Sequence, residues 1–144
     1  MKYTTVIILI GILNIMDKHK RTPLHLAALK GHLPVCKYVV INSKDFEPQD
    51  NDLNTPFSNA VSEGHIDVCK FLIAYLIDKN PIIDNKGCTS LHQAADRGHL
   101  EVCKLIIDNI SVDARKNPSN KKGFTPLHFA ARRGHLDICR LIIR

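Results

Sequence analysis

Four times along the 144-residue chain a threonine opens a run that reaches glycine nine residues later and histidine one after that: Thr22, Thr55, Thr89 and Thr125, spaced 33, 34 and 36 residues apart. A period of that length restricts the fold more than any other feature. Each period is one small unit that cannot bury its apolar face alone, so stability has to come from stacking copies on one another. The fullest copy runs from Thr125 to Ile143, Thr-Pro-Leu-His-Phe-Ala-Ala-Arg-Arg-Gly-His-Leu-Asp-Ile-Cys-Arg-Leu-Ile-Ile. Its threonine is placed to cap a helix, and Pro126 fits the first helical position, where a missing N–H costs nothing. Leu127, Ala130 and Ala131 recur at helical spacing as a buried stripe. Gly134 suits the left-handed residue that closes a helix. A second, more apolar helix then runs from Leu136 to Ile143, with Ile138, Cys139, Leu141 and Ile142 facing inward.

The other copies read Thr-Pro-Leu-His-Leu-Ala-Ala from Thr22, Thr-Pro-Phe-Ser-Asn-Ala-Val from Thr55 and Thr-Ser-Leu-His-Gln-Ala-Ala from Thr89. The Thr-Pro-Leu-His core followed by paired alanines resembles the ankyrin repeat. The resemblance implies an all-α fold, an ankyrin-repeat solenoid of four stacked helix-turn-helix repeats with short hairpin fingers and an N-terminal apolar helix. It divides the chain into an apolar segment, 1–16, and a repeat domain, 17–144, with repeats at about 17–49, 50–83, 84–119 and 120–144. The stretches before Thr22, Thr89 and Thr125 look like the family's finger, Asp-x-x-Gly-x-Thr. Lys20 and Leu53 replace the finger glycine in the first two copies, which makes those turns less secure. After the second helices, Asn42, Asn80 and Asn109 stand where a capping glycine is missing, and asparagine tolerates the left-handed conformation better than most residues. Pro48, Pro81 and Pro118 follow and forbid helix continuation. The second copy departs furthest from the pattern and is expected to be the softest.

Composition bounds the class without naming a partner. With 44% hydrophobic and 24% charged residues the chain is ordinary globular protein, neither disordered nor membrane-embedded. The apolar run from Val6 to Met16 is too short to span a bilayer as a helix. It reads first as a degenerate second helix from a preceding half-repeat, then as a signal or signal-anchor, then as a peripheral membrane contact, so any membrane association would run through residues 6–16. Four of the five cysteines, Cys36, Cys69, Cys103 and Cys139, hold one position in the repeat. Helices packed about 8–10 Å apart keep such thiols beyond disulfide reach. Buried thiols agree with a reducing, cytoplasmic setting, with a secreted or membrane-tethered one if the apolar run is a signal.

The pairs His32/Cys36, His65/Cys69, His99/Cys103 and His135/Cys139 imitate metal ligands. Each copy supplies two, whereas a structural zinc site needs about four within about 2.3 Å of one point. The sequence therefore implies no metal and no cofactor, and reads the histidines as loop-anchoring hydrogen-bond formers. No nucleophile elbow, glycine-rich phosphate loop or carboxylate pair points to an enzyme. Cys88, in a finger, is expected to be exposed and is the one thiol worth testing for reactivity.

The resemblance implies that partners are gripped by finger tips and by the exposed end of the first helix. On this chain those positions carry Lys18, His19, Arg21 and Lys30 in the first copy, Lys86 and Arg97 in the third, and Lys121, Lys122, Phe124, Arg132 and Arg133 in the fourth. The second copy contributes Asn51, Asp52, Asn54, Ser62 and Glu63. Summed over these positions, with Leu29, Asn85, Cys88 and Asp96 included, the formal charge equals the +6 of the whole chain. An interaction module with a basic concave face for an acidic protein surface is the reading this supports. The alternatives are a nucleic-acid binder, disfavoured by a single aromatic on that face, and the targeting segment of a larger enzyme, channel or exported effector. The fourth copy ends on Leu141-Ile142-Ile143 with no polar cap, which leaves an apolar outer face expected to meet further repeats, to meet a second copy end to end, or to fray.

Overall fold

The computed structural model describes residues 2–43, 45–80, 84–110 and 117–144. It falls into two compact units, Met1–Tyr75 and Leu76–Arg144, and the described residues are helical with connecting turns. Unit 1 holds α1 (Lys2–Leu13), α2 (Pro23–Lys30), α3 (Leu33–Asn42), α4 (Pro56–Glu63) and α5 (Ile66–Ile73). Unit 2 holds α6 (Ser90–Arg97), α7 (Leu100–Asn109), α8 (Pro126–Arg133) and α9 (Leu136–Ile143).

Every repeat is built by the same local chemistry. In α2, α4 and α8 the threonine hydroxyl accepts from the backbone N–H three residues on, and the side chain there reaches back to the threonine N–H. Two orphan donors are satisfied reciprocally in this capping box. Histidine performs the return bond in α2, α6 and α8, from Thr22, Thr89 and Thr125 N–H to His25, His92 and His128 Nδ1, each at 3.0 Å. A backbone N–H only donates, so Nδ1 must be bare and the ring is neutral with its proton on Nε2. That proton then reaches the finger of the following copy: His25 Nε2 donates to Asn54 O at 2.9 Å and His92 Nε2 to Phe124 O at 3.0 Å.

In the second copy Ser58 takes the histidine's place and completes the box locally, receiving the Thr55 N–H at 2.8 Å. Its core is as closed as the others, with Phe57, Ala60 and Val61 essentially inaccessible. What Ser58 lacks is the reach to a neighbouring finger.

The Gly-His signature has two causes. Gly31 and Gly98 close their helices at φ of 75° and 79°, and the ring of the next repeat's histidine lies against each. A Cβ on Gly31 would sit 2.7 Å from His65, and one on Gly98 2.7 Å from His135. Only glycine suits both the backbone and the close approach. Within unit 1, α2 packs on α4, α3 on α5 and α1 on α3. Within unit 2, α6 packs on α8 and α7 on α9. Cys36, Cys69 and Cys103 are fully buried at the centre of these contacts.

Two expectations are corrected. Asn42, Asn80 and Asn109 do not act through a left-handed backbone; among the described residues only Lys20 and Leu53 hold positive φ without being glycine. Asn42 and Asn109 instead donate from Nδ2 to carbonyls one turn back, Tyr38 O and Leu105 O, at 2.7 and 2.8 Å. Asn80 accepts the Leu91 N–H at 2.9 Å, which supplies an orphan donor of α6. Leu127 and Ala131 are not buried with Ala130: Ala131 is exposed and Leu127 partly so, because no described helix of unit 2 covers that side of α8. Pro81 lies outside the described residues.

Candidate functional site

The fingers form as expected, and their backbones pair. Asp17, Asp50, Asp84 and Asn120 each accept two backbone N–H groups of their own turn through one side-chain oxygen, at 2.9 to 3.0 Å. Asn51 N–H donates to His19 O at 3.0 Å in unit 1, and Lys121 N–H to Lys86 O at 2.9 Å in unit 2. Where glycine is missing, Lys20 and Leu53 take φ of 60° and 67°. The turn geometry is thus kept, at the strain that a left-handed L-residue carries.

The expected contact residues divide into free cations and committed ones. Lys18, Lys30, Lys86, Lys121 and Lys122 are exposed. His19 is exposed too, but its backbone is tied into both its own turn and the next finger. Arg21 is not free: its guanidinium lies 2.7 Å from Asp17. The hydrogen bonds from Arg21 hold the Asp17 carboxyl down at about 2, so the first finger offers one free positive charge fewer than its expected contact positions, which leave out Asp17, add up to.

In unit 2 the two arginines expected to meet a partner converge on one carboxylate of the preceding copy. Arg132 Nη2 lies 3.1 Å and Arg133 Nε 3.0 Å from Asp96 Oδ1, with Arg133 Nη2 3.3 Å from Oδ2. Partial burial pushes the Asp96 pKa upward, and the bonds from Arg133 and Arg132 outweigh it, leaving the carboxyl below its ordinary value. The same bonds raise Arg133. Asp96 thereby fixes both guanidiniums in place and cancels one of their two charges. Arg97 is exposed on the same helix.

Phe124 is 45% exposed and stands edge-on to His128 and Phe129, at 5.8 and 6.3 Å. Arg132 lies over Phe129 at 4.8 Å, a cation–π contact. These four side chains line a cleft of about 240 Å³. The resulting surface of unit 2 has lysines at the finger tips, two braced arginines on α8 and an aromatic cleft beside them. Phe129 belongs to this surface although the sequence reading passed over it; its position at the start of the second turn, next to the paired alanines, was the available signal.

The thiols are structural. Burial raises Cys36 to about 11 and Cys69 and Cys103 to about 12. Cys88 is buried rather than exposed, because the neighbouring finger covers it and Asn120 Nδ2 donates to its sulfur at 3.3 Å; burial raises its pKa too. All five cysteines are free, and among the described residues no histidine, cysteine or carboxylate cluster could hold a metal ion. Two of the four histidines after the glycine bond the last turn of the preceding copy's first helix rather than a loop, His65 Nε2 donating to Leu29 O at 2.9 Å and His135 Nε2 to Asp96 O at 3.2 Å.

Paired helices, capped by threonine, closed by glycine and tied to the next finger by histidine, define a repeat protein of the helical-solenoid class. The family model for ankyrin repeats matches it three times in overlapping spans, at residues 2–83, 40–116 and 73–144, and the chain belongs to the ankyrin-repeat family. Ankyrin repeats are in general protein–protein interaction modules and typically carry no catalysis. No curated protein matches the chain.

Proposed function

We propose that the protein is a non-catalytic binding module whose unit 2 surface receives an acidic protein. The observation that carries this reading is the bracing of Arg132 and Arg133 by Asp96 beside the exposed lysines of two paired fingers. Side chains already held in place lose little rotamer freedom when a partner arrives. Exposed lysines at the finger tips would attract acidic groups from a distance, chiefly raising the association rate. The Phe124 and Phe129 rings add apolar area next to the charges, which a partner could fill with one large side chain. Their edge-on packing and the Arg132 contact occupy the ring faces that stacked bases would need, so a protein is favoured over single-stranded nucleic acid.

The test compares the proteins captured by the full chain with those captured by a Lys121→Glu/Lys122→Glu variant of unchanged circular dichroism. Partners carrying acidic segments should be lost from the variant, and their association with the native chain should slow as salt rises. An unaltered partner set, or association indifferent to ionic strength, would refute the assignment.

A further inference from the structure

A second surface, on unit 1, has a different character. Helix α1, Lys-Tyr-Thr-Thr-Val-Ile-Ile-Leu-Ile-Gly-Ile-Leu, has no acidic residue and is apolar around most of its circumference. A helix of that composition is ordinarily enclosed by protein or lipid. Here Tyr3, Val6, Ile7, Ile8 and Ile12 are each more than half exposed, although α1 packs on α3. On α3 itself, Val35, Tyr38 and Ile41 form an exposed stripe at three-residue spacing. Val35 is the telling one: it is 47% exposed, while Val68, Val102 and Ile138, at the same place in the other copies, are at most 1% exposed. This end of unit 1 therefore presents a contiguous apolar surface larger than lone exposed residues explain.

Charge says what would cover it. Residues 1–44 hold seven basic residues against one acidic residue, Asp17, a net +6; residues 45–144 are neutral in sum. Lys18, Lys20 and Lys37 are exposed on the first finger and on α3, and the first finger bonds the second through the His19 carbonyl, which leaves the lysine side chains exposed. A second copy fits poorly. Pairing two such ends would oppose +6 with +6, and pairing this end with the α8–α9 end would oppose it to residues 117–144, which carry +5. An anionic lipid surface supplies both the apolar medium and the opposite charge.

We propose that α1 and the exposed stripe of α3 form a docking face for a negatively charged membrane surface. Twelve residues rise only about 18 Å against a hydrocarbon core of about 30 Å, and no described helix is long and apolar enough to cross a membrane. Helix α1 thus lies in the interface with Ile7, Ile8 and Ile12 in the acyl boundary and the lysines at the headgroups. The site is separate from the proposed protein-binding surface of unit 2 and does not depend on it.

Flotation of the full chain with phosphatidylcholine vesicles, with and without phosphatidylserine, tests this. The protein should float with the anionic vesicles and stay behind with the neutral ones. Lys18→Ala and Lys20→Ala should each weaken binding about fivefold. The Ile7→Glu/Ile12→Glu pair, at exposed positions that leave the fold intact, should abolish flotation, while Lys121→Glu/Lys122→Glu should leave it largely unchanged. Equal binding to both vesicle types, no binding to either, or binding untouched by the isoleucine changes would overturn the proposal. A self-associated native chain in sedimentation, made monomeric by Ile7→Glu/Ile12→Glu without any flotation, would assign the face to a second copy instead.

Discussion

Replacing Ser90 by proline should stabilise unit 2, and the size of the gain follows from what surrounds the residue. Ser90 is the first residue of α6, the position held by Pro23, Pro56 and Pro126 in α2, α4 and α8. Its backbone partner is already suited to proline: Thr89 sits at φ −98°, ψ 170°, close to the −103°, 165° of Thr55 and the −106°, 166° of Thr125, in the extended region a residue before proline prefers. Ser90 is fully buried, and its hydroxyl has no hydrogen-bond partner among the described residues. Such an orphaned group costs about 1–3 kcal/mol, and a compatible proline removes about 0.4–1 kcal/mol of unfolded-chain entropy. Taking both low ends gives about 1.5 kcal/mol, or an upward shift of about 6–12 °C in the melting temperature of a unit this size. Denaturant unfolding followed by circular dichroism should show a higher midpoint at unchanged m-value, and hydrogen exchange should slow at the α6 amides. A lower midpoint would mean that the serine hydroxyl or N–H has an essential partner and that the position is not equivalent to the other three.

Three further outcomes are expected. Lys20→Gly should stabilise unit 1 by about 0.5–1 kcal/mol, since relief of left-handed strain exceeds the added unfolded-chain entropy and the exposed lysine loses no packing. All three tyrosines, Tyr3, Tyr38 and Tyr75, lie in unit 1, so tyrosine fluorescence reads it, and a lowered midpoint would contradict the turn assignment. Acid should weaken unit 2 through His92, whose pKa is lowered mainly by burial. The neutral ring favours the fold, so its contribution is full above the unfolded value of about 6.5 and is lost as pH falls through the lower folded value; His92→Gln should flatten the fall in midpoint below about pH 6.5, and an identical slope would refute it. Alkylation at about pH 7 should reach the partly exposed Cys139 first and leave Cys36, Cys69 and Cys103 intact until unfolding; early labelling of Cys69 would disprove its enclosure.

Helix positions and caps were legible because they are local: threonine, proline and glycine act within a few residues of themselves. Reading the histidine after the glycine as a hydrogen-bonded anchor held in part: His65 and His135 tie neighbouring copies together, but at the last turn of a helix and not at a loop. The errors lie where a side chain has a specific partner, in a different copy or within its own turn. Cys88 reads as an exposed finger residue until Asn120, 32 residues later, is seen above it. Arg132 and Arg133 read as two free charges until Asp96 is placed between them, and Arg21 lost its charge to a partner four residues away that the tally of contact positions omitted. Formal charge can be counted from a sequence, but its availability depends on pairing within each finger and across the stack.

The bonds from His25 and His92 to the finger of the following copy also set a timetable. During synthesis α2 can form its own box as soon as Thr22 and His25 are out, yet the acceptor for His25 Nε2, Asn54 O, lies 29 residues downstream. At about 5–20 residues per second the ring waits about 1.5–6 s with its donor unmet, and His92 waits a little longer for Phe124, 32 residues on. The first and third copies are therefore finished by the ones behind them, and an arrest of translation inside a finger would hold the growing chain at its least protected stage.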